Sequence, residues 1–215
     1  MDPARVFRDR RAAGRLLAER LRAYAGRDDV LVLALPRGGV PVGYEIALAL
    51  RAPLDVFVVR KLGVPGREEL ALGAIGSGDA TVLNRDVIAA LRVAPDELAR
   101  IAARERRELA RRNDLYRDGR PYPPVAGRTL VLVDDGVATG ASMLVALEAL
   151  RALEPARVVV AVPVGARETC AVLRQAADEL VCLWAPAQFG GVGAWYADFT
   201  QVRDDEVRTL LSLTR

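Results

Sequence analysis

Residues 130–143 read LVLVDDGVATGASM. Four apolar residues run into two adjacent carboxylates, Asp134 and Asp135. A loop of small residues with two hydroxyls, Thr139 and Ser142, follows, and an apolar pattern at helical spacing begins beyond it. The apolar run has the length and composition of a strand buried on both faces. Side chains alternate along a strand, so at most one of the two aspartates could point into a given core face. Two neighbouring charges cannot be buried unpaired. They therefore leave the sheet and face water or a ligand. The loop beyond them lets backbone N–H groups approach a ligand closely, and a helix N-terminus adds about half a positive charge. That is a cradle for a phosphate. Carboxylates beside it would repel phosphate, but they accept hydrogen bonds from a neutral diol or bind a metal. The inferred ligand is a sugar phosphate with Mg2+. The competing explanation is an Asp-rich turn that only caps the helix.

The flanks of this stretch predict the fold. A helix over Arg8 to Tyr24 carries Leu16, Leu17, Leu21 and Tyr24 on one stripe. Strands are expected over Val30–Leu35, Leu54–Val59, Thr129–Val133, Arg157–Val164 and Leu180–Trp184, and helices over Val40–Leu50, Ser142–Leu153, Glu168–Ala177 and Asp204–Leu213. Strands alternating with helices predict an α/β fold, a mostly parallel sheet covered on both faces. The stretch from Leu54 to Leu130 interrupts the alternation. It holds a loop (RKLGVPGRE, from Arg60), a hairpin turning at Gly76-Ser77-Gly78-Asp79, a long helix from Pro95 to Arg117 and a proline-rich linker, 119–127. In such sheets ligands bind beyond the carboxyl ends of strands, where strand order reverses, and Asp134 and Asp135 stand at such an end.

Composition narrows the chemistry. The chain has 215 residues, 52% of them hydrophobic, enough for one domain with a sizeable core. It has no histidine, which excludes Ser–His and Cys–His nucleophile pairs and His-ligated zinc. Cys170 and Cys182 lie in apolar segments and read as reduced core residues. There is no long apolar run and no apolar leader, so no membrane is expected, and the location read from this is cytoplasmic. The net charge of +3 is small; it suits anionic ligands but does not by itself argue for nucleic acid, which is not expected as a partner. Of 31 basic residues one is lysine, Lys61.

The segment LVLVDDGVATGAS resembles the 13-residue signature of type I phosphoribosyltransferases, which bind 5-phosphoribosyl 1-pyrophosphate (PRPP). The resemblance extends over Val30 to Trp184. It implies a Rossmann-like three-layer parallel sheet as one domain, with core 28–184, a flexible loop and hairpin over 61–83, and a small hood from 1–27 and 185–215. It implies that Asp134 and Asp135 hold the ribose hydroxyls. The 5′-phosphate falls to Gly136, Val137, Ala138, Thr139, Gly140, Ala141 and Ser142, with Ala138 to Ser142 wrapping it. Gly136 departs from the pattern, where the family prefers an apolar side chain. Pro36-Arg37-Gly38-Gly39 resembles the family's pyrophosphate loop, which often contains a non-proline cis peptide.

The remaining expectations follow from the chemistry of phosphoribosyl transfer. The reaction breaks the C1′–O bond while charge grows on pyrophosphate, which calls for Mg2+, cations and a closing lid rather than a histidine. Arg37 and Lys61 are the expected catalytic cations. Arg37, Gly38, Gly39, Arg60 and Lys61 are expected to hold pyrophosphate, with Arg67 basic in the same loop and Gly63 and Gly66 as its hinges. Mg2+ is expected to be held mainly by PRPP, with Asp134 or Asp135 as protein ligands. The acceptor is a nitrogenous base of undetermined identity. Phe189, Trp195 and Tyr196 could stack on it, or could close the core or a dimer interface. A homodimer and a role in nucleotide salvage are expected. The alternative is a PRPP-sensing regulator that binds RNA or DNA through the arginines of 94–119. Acids at i,i+3 and i,i+4 spacing among those arginines point instead to a solvated, ion-paired face.

Overall fold

Alternate residues of the apolar strands belong to different faces, and this sets the layers. The computed structural model describes residues 6–64 and 67–214, without the side chains of 67–70. Helix α1 (Arg10–Arg20) leads to strand β1 (Val30–Ala34), α2 (Gly39–Leu50) and β2 (Leu54–Val56). An antiparallel unit follows: β3 (Val59–Val64), β4 (Arg67–Gly76) and β5 (Thr81–Leu83), then α3 (Arg85–Ala90) and α4 (Pro95–Arg117). The chain ends with β6 (Thr129–Val133), α5 (Ala141–Arg151), β7 (Arg157–Val164), α6 (Arg167–Ala176), β8 (Glu179–Trp184) and α7 (Asp204–Ser212).

The main sheet is parallel in the order β2-β1-β6-β7-β8. Val30, Val32, Val131, Val133 and Val159 pack with Leu17, Ile46 and Leu210 of α1, α2 and α7. Leu31, Leu33, Leu130, Leu132 and Val160 pack with Met143 and Leu147 of α5 and Leu173 of α6. The expected three layers result. β2 lies on one side of β1 and β6 on the other, so strand order reverses between β1 and β6. Their register pairs Val30 with Thr129 and Ala34 with Val133. The two strands end level, and the Pro36–Gly39 turn and the Asp134–Ser142 loop leave them side by side.

Four expectations are corrected. β2 stops at Val56, and Val59 opens a second sheet. The stretch from Arg60 that reads as a loop is strand β3 and the start of β4, antiparallel to each other, with a register shift at Gly63. The expected hinge Gly66 lies outside the described residues, as does the side chain of Arg67. Leu16 is 52% exposed and leaves the stripe formed by Leu17, Leu21 and Tyr24. The N-terminal segment, expected in a hood, puts α1 into the layer over the sheet. Phe7 and Arg8, just before α1, pair with the 192–200 segment through the backbone: Phe7 N–H donates to the Trp195 carbonyl (2.8 Å), Ala197 N–H donates back to Phe7 (2.8 Å) and Asp198 N–H donates to Arg8 (2.9 Å). Cys170 and Cys182 are free thiols, with Sγ atoms 3.7 Å apart.

Candidate active site

The signature loop begins pinned and ends open. Val137 N–H donates to the Val164 carbonyl, and the Val137 carbonyl accepts from Ala166 N–H, both at 3.0 Å. Gly136 and Val137 are buried by this pairing, so the amide of Val137 is already spent. The part of the loop left open to a ligand narrows to Ala138 through Ser142. Ala138, Thr139 and Ser142 are exposed there. The N–H groups of Ala138, Thr139 and Gly140 donate to no acceptor among the described residues. Gly140, at φ 72°, turns the chain into α5 and stands as its N-cap. Thr169 Oγ1 of α6 donates to the Ala138 carbonyl (2.5 Å) and steadies the loop from behind. Free amides at a helix N-terminus suit an anion. The departure at Gly136 has a packing cause. A Cβ there would lie 2.6 Å from Val192 Cγ1, so the space of the missing side chain is filled from the C-terminal segment.

The two aspartates are tightly held. Asp135 N–H donates to Asp134 Oδ1 (2.8 Å). Arg10 Nε donates to Asp135 Oδ2 (2.7 Å), and the side chains of this pair are only 10% and 14% exposed. Arg10 also donates from Nη1 to the Thr200 carbonyl (2.8 Å) and stacks 3.9 Å from the Phe199 ring centroid. Tyr196 OH donates to the Asp135 carbonyl (2.6 Å). Burial pushes the Asp134 carboxyl well above the usual range, and the charge of Asp135 adds to this. Burial also raises Asp135, opposed by the hydrogen bond and charge of Arg10.

Gly38 and Gly39 are explained by close approach as much as by open amides. A Cβ on Gly38 would fall 2.1 Å from Asp135 Oδ2, and one on Gly39 would fall 2.6 Å from the Val133 carbonyl. Only glycines let the β1–α2 turn press against the end of β6. The Gly39 amide is spent on Leu35 at the start of α2 (3.1 Å). The peptide between Pro36 and Arg37 is cis, as the resemblance implies. Arg37 faces a cavity of about 460 Å3 lined also by Arg111, Arg112, Tyr116 and Asp204. Its Nη1 lies 3.7 Å from Asp204 Oδ1.

The other expected cations are placed differently. Arg60 does not join Arg37; its Nε and Nη2 donate to Glu105 Oε2 of α4 (2.9 and 2.6 Å). Glu105 is buried, so this pair ties the small sheet to the helix. Lys61 points the other way from β3, exposed and without a partner among the described residues. Along α4, Arg111 and Arg112 pair with Glu108 and Arg100 with Asp96, the ion-paired face its spacing predicts.

The proposed base-stacking aromatics close the core instead. Trp195 and Tyr196 are 4% and 6% exposed and cluster with Phe7, Ala13 and Val164, and Phe189 packs partly buried against them. Trp195 Nε1 donates to the Phe189 carbonyl (2.9 Å). Phe199, 38% exposed, is the aromatic that borders the site, stacked on Tyr196 with centroids 5.1 Å apart. Arg10, Phe199 and Thr200 were not singled out by sequence. A half-buried carboxylate requires a cation, but nothing local says which of 30 arginines supplies it.

Comparison with known proteins agrees with this geometry. Residues 8–193 match the family model described as phosphoribosyl transferase domain. A protein found in two strains of Mycobacterium tuberculosis, named provisionally as a phosphoribosyl transferase, is 48% identical over 207 residues. That match covers 96% of this chain and 46% of the relative, so the chain spans about half the length of the curated relatives it matches. A crystal structure from Thermus thermophilus is 49% identical, with a TM-score of 0.85 and coverage of 96% of this chain and 97% of that one. A structure from Aquifex aeolicus, 11% identical at a TM-score of 0.50, shares the fold alone.

Proposed function

The chain belongs to the phosphoribosyl transferase domain family, and on that premise we propose that it transfers the 5-phosphoribosyl group of PRPP to a nitrogenous base, releasing pyrophosphate, as in nucleotide salvage. The observation that carries this is the contact of Gly38 with Asp135. It brings the Pro36–Gly39 turn and the phosphate loop to one place at the β1/β6 switch point, so their loops can reach opposite ends of one PRPP. Ala138 to Ser142 receive the 5′-phosphate on free amides and hydroxyls. Asp134 and Asp135 accept from the ribose hydroxyls. Arg37 meets pyrophosphate as it leaves, and Lys61, exposed and uncommitted on β3, is the cation able to join it. As the C1′–O bond lengthens, positive charge on the ribose ring is met by the acidic pair and negative charge on pyrophosphate by the cations.

The donor set fits Mg2+ shared with a phosphate ligand. Among the described residues no group of three or more His, Cys, Asp and Glu could cage a metal. Mg2+ would be held mainly by oxygens of PRPP, and the free oxygen of Asp134 or Asp135 has a second lone pair with which it could reach the ion while accepting from a ribose hydroxyl. When bound, the ion neutralises pyrophosphate charge. We place the enzyme ahead of a PRPP-sensing regulator of RNA or DNA, because acids on α4 pair many of its arginines. The test is PRPP with Mg2+ offered to a panel of bases, with pyrophosphate release measured. Release that depends on one base is expected. No release with any base, and no PRPP binding by calorimetry, would overturn the proposal.

A further inference from the structure

We propose that Arg10 is a positioning residue for sugar recognition. It holds the Asp135 carboxylate so that one defined oxygen faces the ligand, and discrimination between ribose and 2-deoxyribose phosphates therefore depends on the N-terminal segment. This rests on the ribose role assigned above and deepens it.

Counting acceptors carries the argument. The acidic pair has four carboxylate oxygens. Asp134 Oδ1 accepts from Asp135 N–H, and Asp135 Oδ2 accepts from Arg10 Nε. Asp134 Oδ2 and Asp135 Oδ1 have no protein donor among the described residues. Two oxygens, one per residue, remain for two hydroxyls, which is the donor count of a ribose diol.

The Asp135 carboxylate reaches this state because it is clamped from two sides. Gly38 backs it, with no room for a methyl group between them. Arg10 fixes it from the other side and is itself fixed. Its Nη1 is bound to the Thr200 carbonyl, its face lies on Phe199, and it opens α1 directly after the N-cap Asp9, whose Oδ1 accepts from Ala12 N–H (2.7 Å). A guanidinium held at three points fixes one rotamer of its partner, whereas a mobile carboxylate would rotate and lose a preferred acceptor. Arg10 touches no reacting atom in this arrangement; it acts through Asp135.

The competing explanation is a structural ion pair that merely compensates a buried charge. The two differ in what they do to two sugars. A structural role moves both equally, whereas a positioning role acts only through the hydroxyls. The experiment measures binding of ribose 5-phosphate and 2-deoxyribose 5-phosphate by calorimetry to the full chain, as wild type, Arg10→Gln and Arg10→Lys. Wild type should prefer ribose 5-phosphate by roughly tenfold or more, the scale of one hydrogen bond to a charged acceptor. Arg10→Gln should bring the two sugars within about threefold of each other by weakening ribose 5-phosphate alone. Arg10→Lys, which keeps the charge without the fork, should recover part of the preference. If Arg10→Gln does not fold, Phe199→Leu, which removes only the stack, should shrink the preference in the same direction. An unchanged preference in a folded Arg10→Gln protein, or tighter ribose 5-phosphate binding, overturns the positioning role while leaving the ribose role intact. A wild type that does not distinguish the sugars overturns the ribose role itself.

Discussion

Gly38→Ala tests the contact on which the site depends. The backbone there is in the right-handed helical region, φ −59° and ψ −35°, so alanine is conformationally welcome. Taken alone, the exchange would stabilise the protein by about 0.5–1 kcal/mol through reduced freedom of the unfolded chain. The added methyl, however, would sit 2.1 Å from Asp135 Oδ2, 2.6 Å from its Cγ and 3.2 Å from Oδ1. Ordinary contact needs roughly 3.5 Å, so the carboxylate must retreat by more than about 1 Å. That distance breaks the 2.7 Å bond from Arg10, whose own position is held by Thr200 and Phe199. Overpacking of this kind costs about 1–3 kcal/mol, which outweighs the backbone gain. We expect Gly38→Ala to lower the melting temperature by about 2–6 °C and to weaken ribose 5-phosphate binding by roughly tenfold or more. Asp135→Ala should restore most of the stability when combined with Gly38→Ala, because the clashing group is gone, but not the binding. Chemical denaturation of the four proteins gives the coupling. A Gly38→Ala protein as stable as wild type, with unchanged ribose 5-phosphate affinity, would refute the packing of turn against acid and with it the common site.

Further outcomes follow from individual contacts. Asp134 has a folded-state pKa raised by burial, so its ionised form opposes folding, and its favourable contribution is lost as pH rises through that value. Asp134→Asn should therefore melt a few degrees higher than wild type at pH 8, by about 1 kcal/mol, and lose the advantage below about pH 4, while binding ribose 5-phosphate more weakly. Gly136→Val, which inserts the side chain the family prefers, should destabilise the protein by about 1–3 kcal/mol because Val192 occupies that space, and Val192→Ala should relieve it in a melting assay. Arg60→Met should cost roughly 1–3 kcal/mol in urea denaturation by leaving buried Glu105 with Arg104 alone, with kcat nearly unchanged. Lys61→Ala should leave stability and PRPP affinity unchanged and lower kcat by about 100-fold, measured as pyrophosphate release; wild-type turnover would make Lys61 a solvated cation.

The contrast between Arg60 and Lys61 shows what was legible in the sequence. Four of the five strands of the main sheet were readable because burial on both faces leaves continuous apolar runs such as Val30–Leu35 and Thr129–Val133, and the structure places their ends within about a residue of the pattern; β2 is the exception, ending at Val56 rather than Val59. The loop proposed as the phosphate cradle stood out because its signal is local: acids, small residues and hydroxyls follow one another within a dozen positions. The small sheet was misread because Gly63 and the Pro65-Gly66 dipeptide look like hinges, although a Pro-Gly pair between two alternating segments is equally a hairpin signal. Once β3 is a strand, neighbouring residues face opposite ways, and only one of Arg60 and Lys61 can point toward α4. Period-2 geometry separates these two cations, and no count of basic residues could do so.

The same limit governs the C-terminal aromatics and the acidic pair. Phe189, Trp195 and Tyr196 have the composition of a stacking site and of a small core alike, and burial decides for the core because Phe7, 188 positions before Trp195, pairs with it. The partner of Asp135 lies 125 residues away in α1. Long-range pairs of this kind carry no spacing signal, but the requirement for them does: an acid at a buried strand end must find a cation or lose its charge. Asp134 has no cation in hydrogen-bond contact: its only protein donor among the described residues is the amide of its neighbour, and burial, with the charge of Asp135, shifts its carboxyl upward against the more distant charge of Arg10. A folded protein keeps such a group at a cost to stability, and the hydroxyls of a bound sugar are donors that would remove that cost. Under the proposed function, the instability of the free site at Asp134 and its affinity for a sugar would be two sides of one electrostatic imbalance.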